Sequence, residues 1–391
     1  MKIGLFCDSF FPMIDGVVYV IDNYARILSR EHDVTVFAAC PKEEADKHPY
    51  RVVPCSSINL GIEEYNVPLP ELDAEFTRIL EKSDLDIVHI HSPFIVGRTG
   101  IRYAHRHDIP VVATIHSQFR QNFEKLYRSK QIVNGLTNYV VRCFDRCDAC
   151  YAVSAEMGRV FHEEYGLKQI PGVLGNATDM MPVADRAASA AHVNKLYGLK
   201  PDEPVLLFSG RLNLLKGIDF IADALAVLRD RGVSFRMMYA GCGPDEQVLR
   251  DKIADLDLND RCILTGRIED RALLADLYAR AYLFLFPSFY DSSSLVQIEA
   301  ASQNTPTLFC DGSVTSKSIR PDVDGFSAAF EPQAYADKIQ QILTDRELHD
   351  RVAAKAHSDL WITWERRVSE AAALYEKHIA MKKEELSRSR S

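Results

Sequence analysis

Short apolar runs with little polar alternation recur from the start of the chain: Lys2–Cys7, Asp33–Ala38, Asp86–Ile90, Val111–Ile115 and Ala149–Val153. A strand wetted on one side alternates apolar and polar positions, whereas one covered on both faces reads as continuous hydrophobic sequence. The pattern therefore predicts a parallel sheet flanked by helices. It weakens over 184–204 and then restarts at Val205–Ser209, Phe235–Tyr239, Cys262–Thr265, Leu283–Phe286 and Thr305–Phe309. The expected fold class is α/β, with two Rossmann-like doubly wound domains facing a central cleft. Their expected bounds are 1–180 and 200–364, with a linker near 175–200. A terminal helix and tail, 365–391, carries Ala371, Ala372, Leu374, Tyr375 and Ile379 at helical spacing, so it should pack back on the body before a polar end frays.

Length and composition sharpen this picture. The 391 residues suit two domains, and 47% hydrophobic with 26% charged residues is the balance of a folded globular chain. A formal net charge of -9 removes a general attraction to nucleic acid. Nine cysteines and an amino end without a basic leader point to reducing cytoplasm rather than a disulfide framework. The apolar runs have the length of strands and none has that of a membrane span.

Ligands of open α/β sheets bind beyond the carboxyl ends of strands, so chemistry is sought there. After the strand ending at Ser209 comes a glycine-flanked loop, Gly210 to Gly217, with Arg211 and Lys216; this pair could neutralise a diphosphate. After Leu283–Pro287 comes Asp291, three serines and an apolar helical pattern that contains Glu299, a strong helix start. The N–H groups of Ser293, Ser294 and Leu295 would point at a phosphate or sugar oxygen, while Asp291 and Glu299 accept from hydroxyls. Each feature also has a structural reading, as a solvated loop or as surface acids near a helix start.

In that order, Gly210-Arg211 to Lys216-Gly217, Gly241-Cys-Gly243-Pro244, Thr265-Gly266-Arg267 and Asp291 to Glu299 resemble the retaining glycosyltransferases of family 4, with the GT-B fold. The amino-terminal Asp8 to Val17 looks like that family's first strand and glycine loop, and Thr114-Ile-His116 like its cleft-facing histidine segment. The resemblance implies that Arg211 and Lys216 hold the donor diphosphate, Glu299 the nucleotide ribose and Asp291 a hydroxyl of the transferred sugar. By the same resemblance Gly16, Gly241 and Arg267 lie at the donor, His116 reaches donor sugar or acceptor, and neither metal nor cofactor is needed. The family's usual first acid is Glu where this chain has Asp291, and Ser294 stands where glycine is frequent. The expected activity is transfer of a sugar from a nucleotide sugar, uridine-linked, to a lipid, lipid-linked or polysaccharide precursor of the cell envelope. A nucleotide-sugar epimerase of the same fold and a non-catalytic sugar-nucleotide-binding protein are the alternatives.

Three further groups carry candidate chemistry. His89 and His91 alternate at a strand end without a third metal ligand. Cys143, Cys147 and Cys150 have the bare spacing of a cluster-binding loop, but the first should end a helix and the last open a strand. Between Arg98 and Arg146 nine Lys or Arg face three acids, and Phe119, Phe123, Leu126 and Tyr127 interleave with Arg120, Lys125, Arg128 and Lys130. That segment is expected either to lie on an anionic membrane at the inner face of the cell or to pack as an ordinary amphipathic helix.

Overall fold

The computed structural model describes residues 1–13, 16–59, 66–291 and 293–389, with only the backbone of Asn59 and Asn66. Ile14 and Asp15 of the amino loop, Ser292 of the serine run and Arg390 and Ser391 of the expected frayed end lie outside the described residues. The chain divides into two compact units: Met1–Asn176 together with the segment from Trp364 onward, and Ala177–Thr363.

The first unit contains β1 (Lys2–Cys7), β2 (Asp33–Ala39), β3 (Arg51–Cys55), the antiparallel pair β4 (Ser57–Asn59) and β5 (Asn66–Pro68), then β6 (Ile87–Ile90), β7 (Val111–Ile115), β8 (Ala149–Ala152) and β9 (Gly172–Val173). The sheet order is β3-β2-β1-β6-β7-β8-β9, with every pairing parallel. Ile3, Leu5, Phe6, Ile87, Val88 and Ile90 of the two central strands are fully buried, as their unbroken hydrophobicity requires. Strand order reverses between β1 and β6, and Asp8 ties the two loops there. Its carboxylate accepts from Ser92 Oγ at 2.5 Å and from Val96 N at 2.7 Å, which caps the helix Ile95–Arg106. The helix Trp364–Ser389 completes this unit by burying Trp364, Val368, Ala371 and Tyr375, and Trp364 meets Tyr24 edge-on at 6.2 Å.

The second unit contains β10 (Val205–Ser209), β11 (Arg236–Ala240), β12 (Cys262–Gly266), β13 (Leu283–Phe286), β14 (Thr307–Cys310) and β15 (Phe326–Ala328). They form a parallel sheet in the order β12-β11-β10-β13-β14-β15. This unit also takes in residues 177–199, and Thr178 N bonds Ile362 O at 3.0 Å where its first and last segments meet. Within the stretch read as pattern-poor linker, Arg186–Tyr197 is a helix. Asp185 caps it by accepting from Ala187 N and Ala188 N, and Gly198 ends it at φ +65°. Its sequence is rich in alanine and buries only Ser189 and Val193, so it gives almost no hydrophobic contrast for a periodicity to register.

Candidate active site

The order of the second sheet reverses between β10 and β13, which makes their carboxyl ends the point where a ligand of such a sheet binds. The loop after β10 is held by its own backbone. Leu212 N donates to Cys242 O at 3.0 Å, Leu214 N to the Asp245 carboxylate at 2.8 Å and Leu215 N to Asn213 Oδ1 at 2.8 Å. Gly217 then turns the chain into the helix Ile218–Asp230 at φ +71°. A Cβ there would stand 2.9 Å from Pro287 Cγ, so the loop after β13 closes directly on it. The two loops are thus seated together by backbone shape.

The charged groups meet at this junction. Lys216 Nζ donates to Asp291 Oδ1 at 2.6 Å, and Ser288 Oγ donates to the other carboxylate oxygen at 2.6 Å. The family resemblance assigns Lys216 to phosphate and Asp291 to a sugar hydroxyl; the structure also pairs them with each other. An ammonium has three N–H donors, so this contact leaves two for an incoming anion. Arg211 is exposed on the same loop and has no ion-pair partner among the described residues. The helix after Asp291 begins at Leu295: Ser294 is its cap, with its Oγ accepting from Gln297 N at 3.2 Å. The amides of Leu295 and Val296 are therefore first-turn N–H groups that the helix itself cannot satisfy. Of the three amides expected to be free, Ser293 and Ser294 precede the helix and Leu295 opens it.

Glu299 sits one turn further in and is turned into the protein, where Arg271 Nη1 donates to Oε1 at 2.8 Å and Tyr278 OH to Oε2 at 3.1 Å. Arg271 Nη2 donates in turn to Asp179 at 2.6 Å. Burial raises the Glu299 carboxyl above the usual carboxylate range, with Arg271 and Tyr278 opposing the shift. Linear spacing held no signal for this Asp179–Arg271–Glu299 chain, because its members come from three separate segments. Gly241 lies against Gly210 O, and Gly241 N donates to Gly266 O at 2.9 Å, so this glycine seats neighbouring loops on one another. Arg267 is exposed and has Glu269 at 3.6 Å.

In the first unit, Gly16 opens the helix Gly16–Leu28 and is exposed; a Cβ would meet nothing within 4 Å. The protein itself therefore does not demand glycine here. His116 follows β7 and is partly buried, with Nε2 3.0 Å from Nδ1 of His91. His91 is 2% exposed and its Nε2 has no hydrogen-bond partner among the described residues, while His89 is saturated by Tyr375 OH at 2.6 Å and Thr114 Oγ1 at 2.8 Å. Burial pushes His89 and His116 down to about 3 and His91 well below its usual value. These rings are neutral in the folded unit, whereas in the unfolded chain they take protons near pH 6.5. Their stabilising effect is complete above about pH 6.5 and is lost as pH falls from there toward 3, each group contributing at most ~1.4 kcal/mol per pH unit. We expect the urea midpoint of the first unit to drop between pH 7 and pH 5, and His89→Gln to flatten that drop. Identical slopes in both proteins would contradict the assignment.

The three spaced cysteines occupy a helix end, a turn and β8. Cys147 Sγ faces Cys143 O at 3.8 Å and Cys150 Sγ faces Phe144 O at 3.3 Å, all within the core. The basic stretch forms the helices Phe119–Leu126 and Lys130–Phe144. Phe119 packs on Phe94 and Phe161, but Leu126, Tyr127, Ile132 and Tyr139 are exposed. Arg102 and Arg106 pair with Glu71 and Glu81, which removes them from the local excess. No helix among the described residues is long and apolar enough to cross a membrane.

Two parallel sheets, each with a reversal of strand order, and a cationic glycine loop paired with an acid ahead of a helix start define a doubly wound α/β protein with a candidate anion-binding loop. Comparison with known proteins agrees. The family Glycosyl transferases group 1 matches residues 194–359 and Glycosyltransferase Family 4 matches residues 14–179. The chain belongs to the family 4 glycosyltransferases and has the GT-B fold. It is 23% identical to an alpha-monoglucosyldiacylglycerol synthase of Streptococcus pneumoniae over 312 residues, 79% of this chain and 70% of that one. It is 32% identical over 173 residues, 44% of each chain, to a GDP-mannose-dependent alpha-(1-6)-phosphatidylinositol dimannoside mannosyltransferase of Mycobacterium tuberculosis. Among solved structures, sucrose-phosphate synthase from Thermosynechococcus elongatus superposes with a TM-score of 0.77 at 19% identity, covering 97% and 99% of the two chains. HepE of Anabaena, in complex with UDP, gives 0.79 at 16% identity over 96% and 100%.

Proposed function

We propose that this glycosyltransferase takes its sugar from a uridine-linked nucleotide donor, retains the anomeric configuration without a metal ion, and delivers the sugar to a lipid, lipid-linked or glycan acceptor of the cell envelope. The observation that carries this reading is the junction of Lys216 with Asp291 ahead of the open amides of Leu295 and Val296, at the switch point of the second sheet, with Arg211 exposed on the loop that carries Lys216. As the bond from anomeric carbon to phosphate oxygen breaks, its electron pair moves onto the phosphate. Fixed cations and helix N–H groups stabilise that charge where a metal ion otherwise serves. In front-face substitution the acceptor oxygen bonds the anomeric carbon on the side the phosphate leaves. Its proton passes to the departing phosphate oxygen, so no enzymic nucleophile is consumed. Asp291, fixed by Lys216 and Ser288, accepts from a hydroxyl of the moving sugar; His116 offers a neutral ring to sugar or acceptor. The uridine assignment draws support from HepE, which is solved with UDP, and the lipid acceptor from relatives named for a monoglucosyldiacylglycerol and a phosphatidylinositol dimannoside.

The test is incubation with a panel of nucleotide sugars and candidate acceptors, with and without a chelator. We expect nucleotide release that depends on acceptor, survives chelation and yields product with the donor's anomeric configuration. An inverted product, or activity abolished by chelation, removes the mechanism.

Cytoplasmic placement at a membrane face is part of the same reading. Leu126, Tyr127, Ile132 and Tyr139 present apolar surface beside Arg128, Lys130 and Arg142, which have no carboxylate within ion-pair distance among the described residues. Each such cation is worth ~1 kcal/mol at an anionic lipid surface at ordinary salt. The protein should sediment with phosphatidylserine vesicles at low salt and be released at high salt, and Lys130→Glu should weaken binding several-fold. Absence of binding at low salt removes the membrane contact.

A further inference from the structure

The Glu299 side chain is buried, and what surrounds its carboxylate decides what it can still bind. A carboxylate offers two oxygens with about four lone-pair directions. Arg271 Nη1 takes one on Oε1 and Tyr278 OH one on Oε2, at 2.8 and 3.1 Å. One direction on each oxygen is left over, which matches a pair of neighbouring hydroxyls such as the vicinal diol of a ribose. The guanidinium is in turn fixed by its other nitrogen on Asp179, at 2.6 Å. Among the described residues, the charged and titratable groups facing Glu299 are Arg271, the neutral phenol of Tyr278 and Asp179. His357, on the neighbouring helix Arg346–Leu360, bonds the Ala301 carbonyl at 2.9 Å instead.

We propose that Arg271, anchored on Asp179, is a positioning residue that keeps Glu299 ionised and aimed, and so sets how tightly this chain takes the vicinal hydroxyls of its nucleotide donor. The inference rests on the ribose role of Glu299 given above. A carboxyl buried this deeply drifts toward its neutral form when its cation is removed, because desolvation is then unopposed by charge. A protonated carboxyl turns one acceptor site into a donor and disturbs the match to two donating hydroxyls. Arg271 thus acts through Glu299, with no contact to donor of its own.

The experiment measures KM and kcat for a nucleotide sugar from pH 6 to 8.5 in Arg271→Gln, Arg271→Lys, Asp179→Asn and Glu299→Gln, with thermal melts as folding controls. In Arg271→Gln we expect KM to rise about tenfold at pH 7 and more steeply toward pH 6, while kcat falls less. Arg271→Lys should recover part of the loss, and Asp179→Asn should show a smaller rise of the same sign. Carbon-13 NMR of the Glu299 carboxyl should show its titration midpoint moved up in Arg271→Gln. An unchanged KM and pH dependence in Arg271→Gln, with Glu299→Gln impaired, overturns this inference alone; an unimpaired Glu299→Gln overturns the ribose reading beneath it. If Arg271→Gln does not fold, Arg271→Lys and Asp179→Asn decide, wild-type behaviour in both counting against the proposal.

Discussion

Lys216→Ala lowers kcat by about two orders of magnitude while KM for the donor changes far less. The diphosphate is already anionic in the ground state, and the charge on the oxygen facing Lys216 grows further as the bond to the sugar breaks, so the interaction is stronger in the transition state than in the bound donor. One preorganised donor at such a position is typically worth ~3 kcal/mol, which corresponds to roughly a hundredfold or slightly more in rate. Folding should survive. The Lys216–Asp291 pair retains about a fifth of its side-chain exposure, 21% and 18%, and Ser288 still holds Asp291 after the change. Partly exposed pairs of this kind contribute about 1 kcal/mol or less to stability. Lys216→Arg keeps the charge on a longer, planar group and should recover part of the rate. Initial rates at saturating donor, with a thermal melt of each variant, check this; a kcat within threefold of the parent sinks the diphosphate role of Lys216.

Gly241→Ala acts through a different cause and should cost the second unit about 3 kcal/mol or more. The added Cβ would stand 1.9 Å from Gly210 O and 3.0 Å from Gly210 C, which are backbone atoms. Neither chain can retreat cheaply, because Gly210 N is bonded to Ala240 O and Gly241 N to Gly266 O, both at 2.9 Å. Gly241 also lies at φ +150°, where a side chain is strained in any case. Overpacking into side chains costs about 1–3 kcal/mol, and here the obstacle is rigid. If the sheet holds, the loop from Gly210 to Gly217 must move and carry Lys216 with it, so turnover is lost along with stability. Gly266→Ala is the control: at φ +72° with nothing within 4 Å of its Cβ, it should cost only about 1–2 kcal/mol. Equal melting temperatures for the two variants would show that the Gly210–Gly241 contact does not constrain the unit.

The most plainly legible strands are those covered on both faces, such as β1, β7, β10 and β13, because burial on two sides writes itself as unbroken hydrophobicity, although the less buried β8 and β12 were legible too. The strands that went unread are peripheral or short. β3 carries Pro54 and opens on the exposed Arg51, β9 has two exposed residues, and β15 has three residues after Gly325. The helix Arg186–Tyr197 was hidden for a related reason, since alanine gives it propensity without contrast.

For the site, local order in the chain was enough to nominate Arg211, Lys216, Asp291 and Glu299 and to predict a helix start after the serines, because cation spacing and capping residues act over a few positions. Which group touches which was settled only by the folded sheet. The reversal of strand order brings the loop after β10 against the loop after β13, across more than seventy residues, and so places Lys216 on Asp291. Packing in the second unit also buries Glu299 under Arg271 and Tyr278 and anchors Arg271 on Asp179, and packing in the first unit stacks His91 on His116. Sequence determines the elements, since their periodicity and caps are local energies. Partnerships among distant polar groups follow from strand order and desolvation, which exist only once the chain has folded.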